Sequence, residues 1–456
     1  MAQPYTSDLV FTVRRRRPEL IPPAKPTPHE VKPLSDIDDQ DGLRCRLPLL
    51  HFYPYHPSMQ GNDPAQLIKS ALAQALVFYY PLAGRLREGP GRKLMVDCSE
   101  QGVPFIEADA DVTLHQFGDP IKPPFPCFEE LLYTVPGTDG IINCPLLAFQ
   151  VTRLKCGGFI LAYFLNHTMC DCPGIVQFLG ALAEIARGAN EPSVAPVWRR
   201  ELLNARDPPR ITCTHNEYVE VPDDDIKTKV TEAMSQDSFF FGPDELKVIR
   251  RLFSQYHGQH TTFEMLTAFL WRCRTISLEL EPHQEVRLML ISNLRGKTDP
   301  PLLPRGYYGN GFVYPASVTT AGELSGNPLG YALKLVKEAK GEATAEYMQS
   351  VADLMVIRGR PCFTPVRSWL VSNLIRSGLG DIDFGWGKAM YAGPAMARLG
   401  SFPGISWACG SAKGDGVVVL ICLPPKAMKI FAREIDNLLG NHNKTGQYSK
   451  FFTSCL

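Results

Sequence analysis

GFILAYFLNHTMCDCPGIVQFLGALAEIARG, residues 158–188, is the segment of this chain that says most about its fold. Its first eight residues are almost continuously apolar, which predicts a strand covered on both faces. Pro173 then opens, and Gly188 ends, a segment whose apolar residues recur at helical spacing. The order strand, short loop, helix is the repeating unit of an α/β protein, and such junctions often carry its chemistry.

The rest of the chain alternates in the same way. Asp63 and Pro64 begin a helix that ends before Pro81. Further strands are expected at residues 93–97, 104–108, 146–153, 286–290 and 417–423, and further helices at 244–253, 262–276 and 329–355.

The segment from residue 190 to 236 has a different composition, with several prolines and an acidic run at 223–225. Such a composition is typical of a linker. We therefore expect an N-terminal lobe at 1–200, a crossover linker at 201–235 and a C-terminal lobe at 236–456.

Composition excludes several classes of function. Lys plus Arg and Asp plus Glu both number 47, so no overall charge attracts a nucleic acid. No apolar run is long enough to span a bilayer, so we expect no membrane insertion. The 13 cysteines include no CxxC pair and no secretory signal is apparent, which predicts reduced thiols inside the cell.

The sequence ends in Ser454-Cys455-Leu456, which differs from the peroxisomal Ser-Lys-Leu signal at its middle position. We therefore expect a cytoplasmic or a peroxisomal protein, and we expect a monomer.

His167 and Asp171 form a His-x-x-x-Asp pattern in the loop between the predicted strand and helix. The pattern alone is a poor signal, because His115 and Asp119 repeat it. His115 lies among polar and turn residues, which predicts a surface loop. His167 follows a buried strand, so it is the better candidate for a functional residue.

Three interpretations of this cluster stay open from the residues alone. His167 could only hydrogen-bond within the core, while Asp171 or Cys172 caps the helix. His167, Cys170 and Cys172 could bind a metal, although His257 and His260 are the only other compact pair that could complete the site. His167 could finally be a general base, because an imidazole with an ordinary pKa of about 6.5 is neutral at cellular pH. No Gly-x-Ser-x-Gly sequence accompanies it, so an acyl-enzyme is not indicated.

The chain resembles the plant BAHD acyltransferases, which move an acyl group from coenzyme A to an alcohol or amine. Members pair His-x-x-x-Asp with a distant Asp-Phe-Gly-Trp-Gly, present here at 167–171 and 383–387. Residues 80–85 (YPLAGR), 262–272 (TFEMLTAFLWR) and 306–310 (GYYGN) are also similar to the family.

The resemblance implies two similar lobes, each a mixed β-sheet with flanking helices, that meet at a channel. A segment near 390–411 is expected to return to the N-terminal lobe. In such proteins the base, here His167, lies in mid-channel, with acyl-CoA entering from one face and the acceptor from the other. Acyl-CoA is then a co-substrate, with no permanently bound cofactor and no metal.

The same resemblance implies supporting residues for this site. Asp171 is expected to pair with an arginine of the other lobe, for which Arg295 is the candidate. Asp383, Gly385, Trp386 and Gly387 are expected to shape the coenzyme channel at a distance from the acyl carbon.

Other candidate binding residues are less well determined. Thr261 and Glu264 form a capping-box pattern, so Thr261 and Thr262 open a helix that could receive a coenzyme A phosphate or simply be capped. Lys297 and Arg305 are further candidates for phosphate contacts. Ser372, from its distance before the Asp383 motif, is expected on the acceptor side.

Residues 34–40 (LSDIDDQ) and 85–98 resemble the branch of the family that makes volatile esters, which includes benzyl alcohol O-benzoyltransferases. This favours benzoyl-CoA with benzyl alcohol, and then short aliphatic acyl donors and alcohols. A hydroxycinnamoyl transferase acting on an acid or amine would need a charged residue deep in the acceptor pocket, and Arg376 is the candidate. Alternatives of another class are a metal-dependent hydrolase and a non-catalytic coenzyme A-binding protein.

Overall fold

The computed structural model of the chain describes residues 9–136, 140–219, 234–297, 299–398, 402, 404–412 and 414–440. Its strands in chain order are β1 (Val13–Arg15), β2 (Glu19–Ile21), β3 (Val31–Pro33), β4 (Arg46–Tyr53), β5 (Arg85–Glu88), β6 (Leu94–Asp97), β7 (Val103–Ala110), β8 (Leu147–Leu154), β9 (Phe159–Asn166), β10 (Ser235–Phe241), β11 (Glu285–Leu290), β12 (Ser292–Asn293), β13 (Phe312–Val313), β14 (Ala316–Thr320), β15 (Ser368–Leu374), β16 (Tyr391–Pro394), β17 (Ile405–Gly410) and β18 (Val417–Leu423). Its α-helices are α1 (Pro64–Phe78), α2 (Phe128–Leu131), α3 (Cys172–Ala186), α4 (Pro243–Leu252), α5 (Thr262–Ser277), α6 (Ala321–Gly326), α7 (Leu329–Glu342), α8 (Ala345–Ile357) and α9 (Pro425–Gly440).

Two mixed sheets form the two lobes, as the resemblance implies. The first has the order β1-β7-β8-β9-β4-β16, with β2 also pairing with β7, and only β7 and β8 are parallel neighbours. The second has the order β10-β18-β17-β15-β11-β14, with β15 parallel to both of its neighbours. Helices flank both sheets, so the α/β class is confirmed.

The segment that returns to the first lobe is shorter than expected. In β16, Tyr391–Pro394 pairs antiparallel with β4 of the first sheet. In β17, Ile405–Gly410 instead lies between β15 and β18 of the second sheet. The prediction for 390–411 is therefore wrong for its second half, because the backbone hydrogen bonds of 405–410 are made within the second sheet.

The crossover linker falls partly outside the described residues, which leave out 220–233 with the acidic run. The described part, up to residue 219, contains short 3-10 turns at Arg200–Leu203 and Asn216–Tyr218. The long helix expected at 329–355 is two helices, α7 and α8. The helical pattern is interrupted because Thr344 caps α8. The Thr344 side chain accepts a hydrogen bond from the Tyr347 amide.

Side-chain caps set the starts of the helices that matter for the site. Asp63 accepts from the Ala65 amide ahead of α1, and Asp171 accepts from the Gly174 amide ahead of α3. Thr261 and Glu264 form the expected capping box of α5.

One apolar core runs between the two lobes. On β15, Leu370 and Leu374 belong to the same core as Leu161 of the first sheet, whereas Trp369 and Val371 pack with α5 on the other face. The alternation follows from the two-residue period of a strand, so one face of the second sheet is turned toward the first lobe. Among the described helices, none combines the length and apolar character needed to cross a membrane.

Candidate active site

His167 lies directly after β9, where the chain leaves the first sheet. Its amide donates to the Cys45 carbonyl at 2.9 Å, and the Met169 amide donates to the Asn166 carbonyl at 3.0 Å. Thr168 adds two bonds to Asn166 Oδ1, from its amide at 3.2 Å and its hydroxyl at 2.8 Å. These bonds close a tight turn, so the backbone that carries the imidazole is held rigidly.

The imidazole of His167 is almost completely enclosed, with the residue 6% exposed. Burial lowers its pKa, because the charged form loses hydration, although the backbone of His167 itself and then Asp171, Asn310 and Asp38 oppose this shift. Nδ1 is buried and has no hydrogen bond within 3.5 Å, even though Asn310 lies beside the ring. The ring is therefore neutral at cellular pH, with a nitrogen able to accept a proton.

Asp171 ties the His167 loop to the other lobe. Its Oδ2 accepts from Arg295 Nη1 at 2.6 Å and from the Gly311 amide at 2.8 Å, while Oδ1 accepts from the Gly174 amide at 3.0 Å. Arg295 also donates to the Tyr307 and Gly309 carbonyls. The structure thus places the candidate arginine against the aspartate, and Asp171 is both a helix cap and an interlobe ion pair.

Asp38 and Asn310 are two site residues that the sequence did not indicate individually. Asp38 Oδ1 accepts from the Asn310 amide at 2.9 Å and from its Nδ2 at 2.8 Å, and Nδ2 also donates to the His167 carbonyl at 2.9 Å. Both lie in stretches that look similar to the family, 34–40 and 306–310. The resemblance of those stretches was the only signal that could have pointed to them.

The Asp383 motif is a compact turn. Asp383 Oδ1 accepts from the amides of Gly385 at 2.7 Å and Gly387 at 2.8 Å. Both glycines have positive φ, 108° and 79°, a conformation that favours glycine. Trp386 is buried, with its ring 5.2 Å from that of Phe159 in β9. The motif therefore folds on itself and packs against the first lobe.

Three of the four candidate coenzyme residues lie on one basic face of the second lobe. Thr261 caps α5 with Glu264, which pairs with Lys340 at 2.6 Å. Thr262 accepts from Arg250 Nη2 at 3.2 Å. Burial, and secondarily the charge of Lys340, lowers the pKa of Lys297, so these two lysines lie near one another.

Arg305 and Arg376, by contrast, are exposed. No described contact joins Arg305 to Thr261, Thr262 or Lys297. Arg376 is not the deeply buried charged residue that an acid acceptor would need.

Ser372 is buried on β15, on the face that carries Leu370 and Leu374 toward the first lobe. It is paired with Trp407 of β17 in register. Phe312 from β13 places its ring centroid 6.0 Å from that of His167. An aromatic ring thus lies beside the imidazole, in addition to the polar groups that hold its loop.

Two cavities, of about 800 and 370 Å³, lie elsewhere on the surface and His167 lines neither. The expected channel past His167 therefore stays a prediction. Among the described residues, no group of three or more His, Cys, Asp and Glu is arranged to hold a metal. Burial also raises the pKa of the Cys172 thiol to about 12 and that of Cys170 still further, which opposes thiolate ligands here.

Comparison with known proteins places this geometry in a family. Residues 11–438 match the model of the Transferase family. Benzyl alcohol O-benzoyltransferase of Petunia hybrida is 58% identical, covering 100% of both chains. Among solved structures, vinorine synthase has a TM-score of 0.72 at 23% identity, covering 94% of this chain and 98% of its own. TRI101 of F. sporotrichioides, solved with coenzyme A and T-2, has a TM-score of 0.66 at 17% identity, covering 88% and 96%.

Proposed function

Because the chain belongs to the Transferase family of acyltransferases, we propose that it transfers an acyl group from coenzyme A to a small alcohol. The preferred pair is benzoyl-CoA and benzyl alcohol, followed by short aliphatic acyl donors and alcohols. The family assignment confirms the resemblance seen in the sequence, and with it an acyltransferase activity.

The observation that carries the mechanism is a neutral, buried imidazole in a loop held by carboxylates at the interface of the lobes. Nε2 of His167 removes the hydroxyl proton as the alcohol oxygen attacks the thioester carbonyl, which forms a C–O bond and a tetrahedral oxyanion. Collapse of that intermediate breaks the C–S bond. The coenzyme leaves as a thiolate and takes up the proton from the imidazolium, giving ester and free thiol.

One base suffices for this chemistry, because a thiol with a pKa of about 8.5 is a good leaving group. Most of the remaining acceleration must come from holding the alcohol and the thioester together within about 3–3.5 Å.

The ring of Phe312 beside His167 supports an aromatic, uncharged acceptor. Phe312 beside His167 offers a ring for edge or offset packing against a benzyl or benzoyl group. The exposed position of Arg376 leaves an acid acceptor without the partner that the alternative requires. The petunia relative is named for benzyl alcohol and a benzoyl group, which supports the same pair.

Coenzyme A would bind on the face of the second lobe that carries Thr261, Thr262 and the basic side chain of Lys297. The positive end of the α5 dipole and the ammonium group of Lys297, with that of Lys340 nearby, suit phosphate groups. TRI101, which shares the fold, was solved with coenzyme A.

The test is a panel of acyl-CoA donors against benzyl, aliphatic and phenolic alcohols, hydroxy acids and polyamines, with the product measured by mass spectrometry. We expect benzyl benzoate in the highest yield. An amide or an ester of an acid acceptor as the main product would favour the hydroxycinnamoyl alternative, and no product from any pair would refute the enzymatic proposal. His167→Ala serves as the control for product formed without the base.

We further propose a monomer located in the cytoplasm or in peroxisomes. The tripeptide 454–456, on which the peroxisomal alternative rests, lies outside the described residues. Light scattering measures the oligomeric state. Imaging of the protein with its C-terminus free, with and without Leu456→Ala, distinguishes the two compartments.

A further inference from the structure

A single buried guanidinium joins three segments around His167. Arg200, at the start of the 3-10 turn Arg200–Leu203, is 1% exposed. Its Nη1 donates to Asp38 Oδ1 at 2.8 Å and its Nη2 donates to the Met169 carbonyl at 2.7 Å. Its positive charge also lies over the rings of Trp198, at 4.5 Å, and Tyr308, at 5.1 Å. Arg200 takes no part in the proposed binding of substrates or in the proposed proton transfer.

Asp38 is the counter-charge of Arg200 and is completely buried. Its Oδ2 accepts from the Ser35 hydroxyl at 2.6 Å and amide at 3.1 Å, which fixes the carboxylate plane. Its Oδ1 accepts from Arg200 and from both N–H groups of Asn310. A buried carboxylate with this many donors has one stable orientation, provided that its cation is present.

The orientation of Asp38 determines that of the Asn310 amide. Nδ2 uses its two hydrogens on Asp38 Oδ1 and on the His167 carbonyl, so exchanging Oδ1 and Nδ2 would set an oxygen against two acceptors. Asn310 Oδ1 is thereby left buried without a hydrogen bond, and so is Nδ1 of the adjacent His167. Two buried polar groups left unsatisfied are unfavourable, and a hydrogen bond between these two would satisfy both.

We propose that Arg200 is a positioning residue which, through Asp38 and Asn310, holds His167 in the tautomer that carries its hydrogen on Nδ1. The Nδ1–H then points to Asn310 Oδ1, and the lone pair of Nε2 is free to accept the proton of the alcohol. This inference depends on the proposed function only for the role of that lone pair as the acceptor of the alcohol proton. Without Arg200, Asp38 would be buried without a cation and the amide of Asn310 would be free to turn an N–H toward Nδ1.

A lysine cannot replace this guanidinium. The planar fork of Arg200 reaches a carboxylate and a backbone carbonyl at once, whereas an ammonium is a point charge that would reach one of them poorly. Arg200→Lys therefore keeps the charge but disturbs the chain of bonds to Asn310.

The experiment combines nitrogen-15 NMR of the histidine rings with steady-state kinetics on the full chain. The signal of His167, one of ten histidines, is assigned by its absence in His167→Gln. In the wild type we expect the shifts of an Nδ1–H tautomer at neutral pH. In Arg200→Lys we expect a mixture with the Nε2–H form and a kcat lowered roughly 10²-fold, with KM for both substrates changed less than about threefold.

Arg360→Lys is the matched control. Arg360 donates to the buried Asp39 at 2.9 Å, so this variant perturbs another buried ion pair in the same segment but not the bonds to Asn310. It should keep the tautomer and kcat of the wild type.

An Nε2–H tautomer in the wild type would overturn the proposal. This measurement needs no variant, so it decides the proposal even if Arg200→Lys does not fold. A folded Arg200→Lys with wild-type kcat, or with lost activity and an unchanged tautomer, would overturn it as well. A wild type that makes no ester would instead count against the proposed function, while the NMR result would still decide this proposal.

Discussion

Arg295 reaches across from the second lobe and donates from Nη1 to Oδ2 of Asp171 at 2.6 Å, four residues after His167. The aspartate also caps α3 and accepts from the Gly311 amide. The ion pair therefore acts on the reaction through the position of the loop and the seating of the two lobes.

Asp171→Asn should lower both stability and turnover. Breaking a largely buried ion pair leaves Arg295 without its partner, and we expect a loss of roughly 3 kcal/mol in the free energy of unfolding, together with a lower kcat. Urea unfolding and ester formation measure the two effects. Asp381→Asn, which breaks the exposed pair with Lys388, is the control and should leave stability nearly unchanged. Unchanged stability with abolished activity would mean that Asp171 acts directly on the reaction.

The pH dependence of kcat/KM should report the buried state of His167. Burial favours the neutral ring and lowers its pKa, so the base stays competent below the ordinary histidine value of about 6.5. Activity should therefore be flat through neutral pH and fall only on the acid side of that value. His167→Ala should lower kcat about 10²–10⁴-fold. An acid limb above pH 6.5 would contradict the assignment of the base.

Lys297→Met should weaken the binding of acyl-CoA without changing the chemical step. Removing one ammonium near the start of α5 should raise KM for the thioester several-fold and make it less sensitive to salt, with kcat unchanged. Lys334→Met on the exposed face of α7 is the control, since Lys334 pairs only loosely with Glu338. Equal KM values in the two variants would place the coenzyme phosphates elsewhere.

Gly385→Ala should destabilise the turn of the Asp383 motif. Its φ of 108° is strained for alanine, and an added Cβ would lie 3.0 Å from Met59 Sδ and Cε. We expect a loss of about 1–3 kcal/mol in the free energy of unfolding. Gly380→Ala, just before the motif, meets no atom within 4 Å and should be nearly neutral. A neutral Gly385→Ala would show that the turn tolerates a side chain.

Local signals predicted local structure well. The segment 158–188 folds into β9 and α3 within two residues of the expected limits, because the apolar pattern, the proline and the cap all lie inside the segment. The break between α7 and α8 was missed because the amphipathic pattern continues across it. Only the cap at Thr344 marks the new start.

Long-range pairing is what the sequence could not supply. Asp38 and Asn310 are 272 positions apart and Arg200 lies 162 positions from Asp38, so no periodicity links them. The partner of Asp171 was predicted only through the family resemblance. Likewise, residues 391–394 pair with the first sheet and residues 405–410 with the second. These pairings depend on which strand edges are free after folding.

His51 should make the protein lose stability as the pH falls below about 6.5. The residue is completely buried between the hydroxyls of Tyr163, at 3.1 Å, and Tyr53, at 3.4 Å, and burial lowers its pKa to about 3. The unfolded state therefore binds a proton near pH 6.5 that the folded state does not bind until about pH 3. Stability from the neutral ring is complete above pH 6.5 and is lost between these values, at up to about 1.4 kcal/mol per pH unit.

The measurement compares unfolding free energies of the wild type and His51→Gln from pH 7 to pH 5. Other titrating groups contribute equally to both proteins, so the difference between the two slopes isolates His51. The variant should show the shallower slope, whatever its stability at pH 7. His56→Gln, at an exposed position bonded to Ser58, should keep the slope of the wild type. Parallel slopes for wild type and His51→Gln would mean that the buried ring takes up a proton in the folded protein as readily as in the unfolded chain.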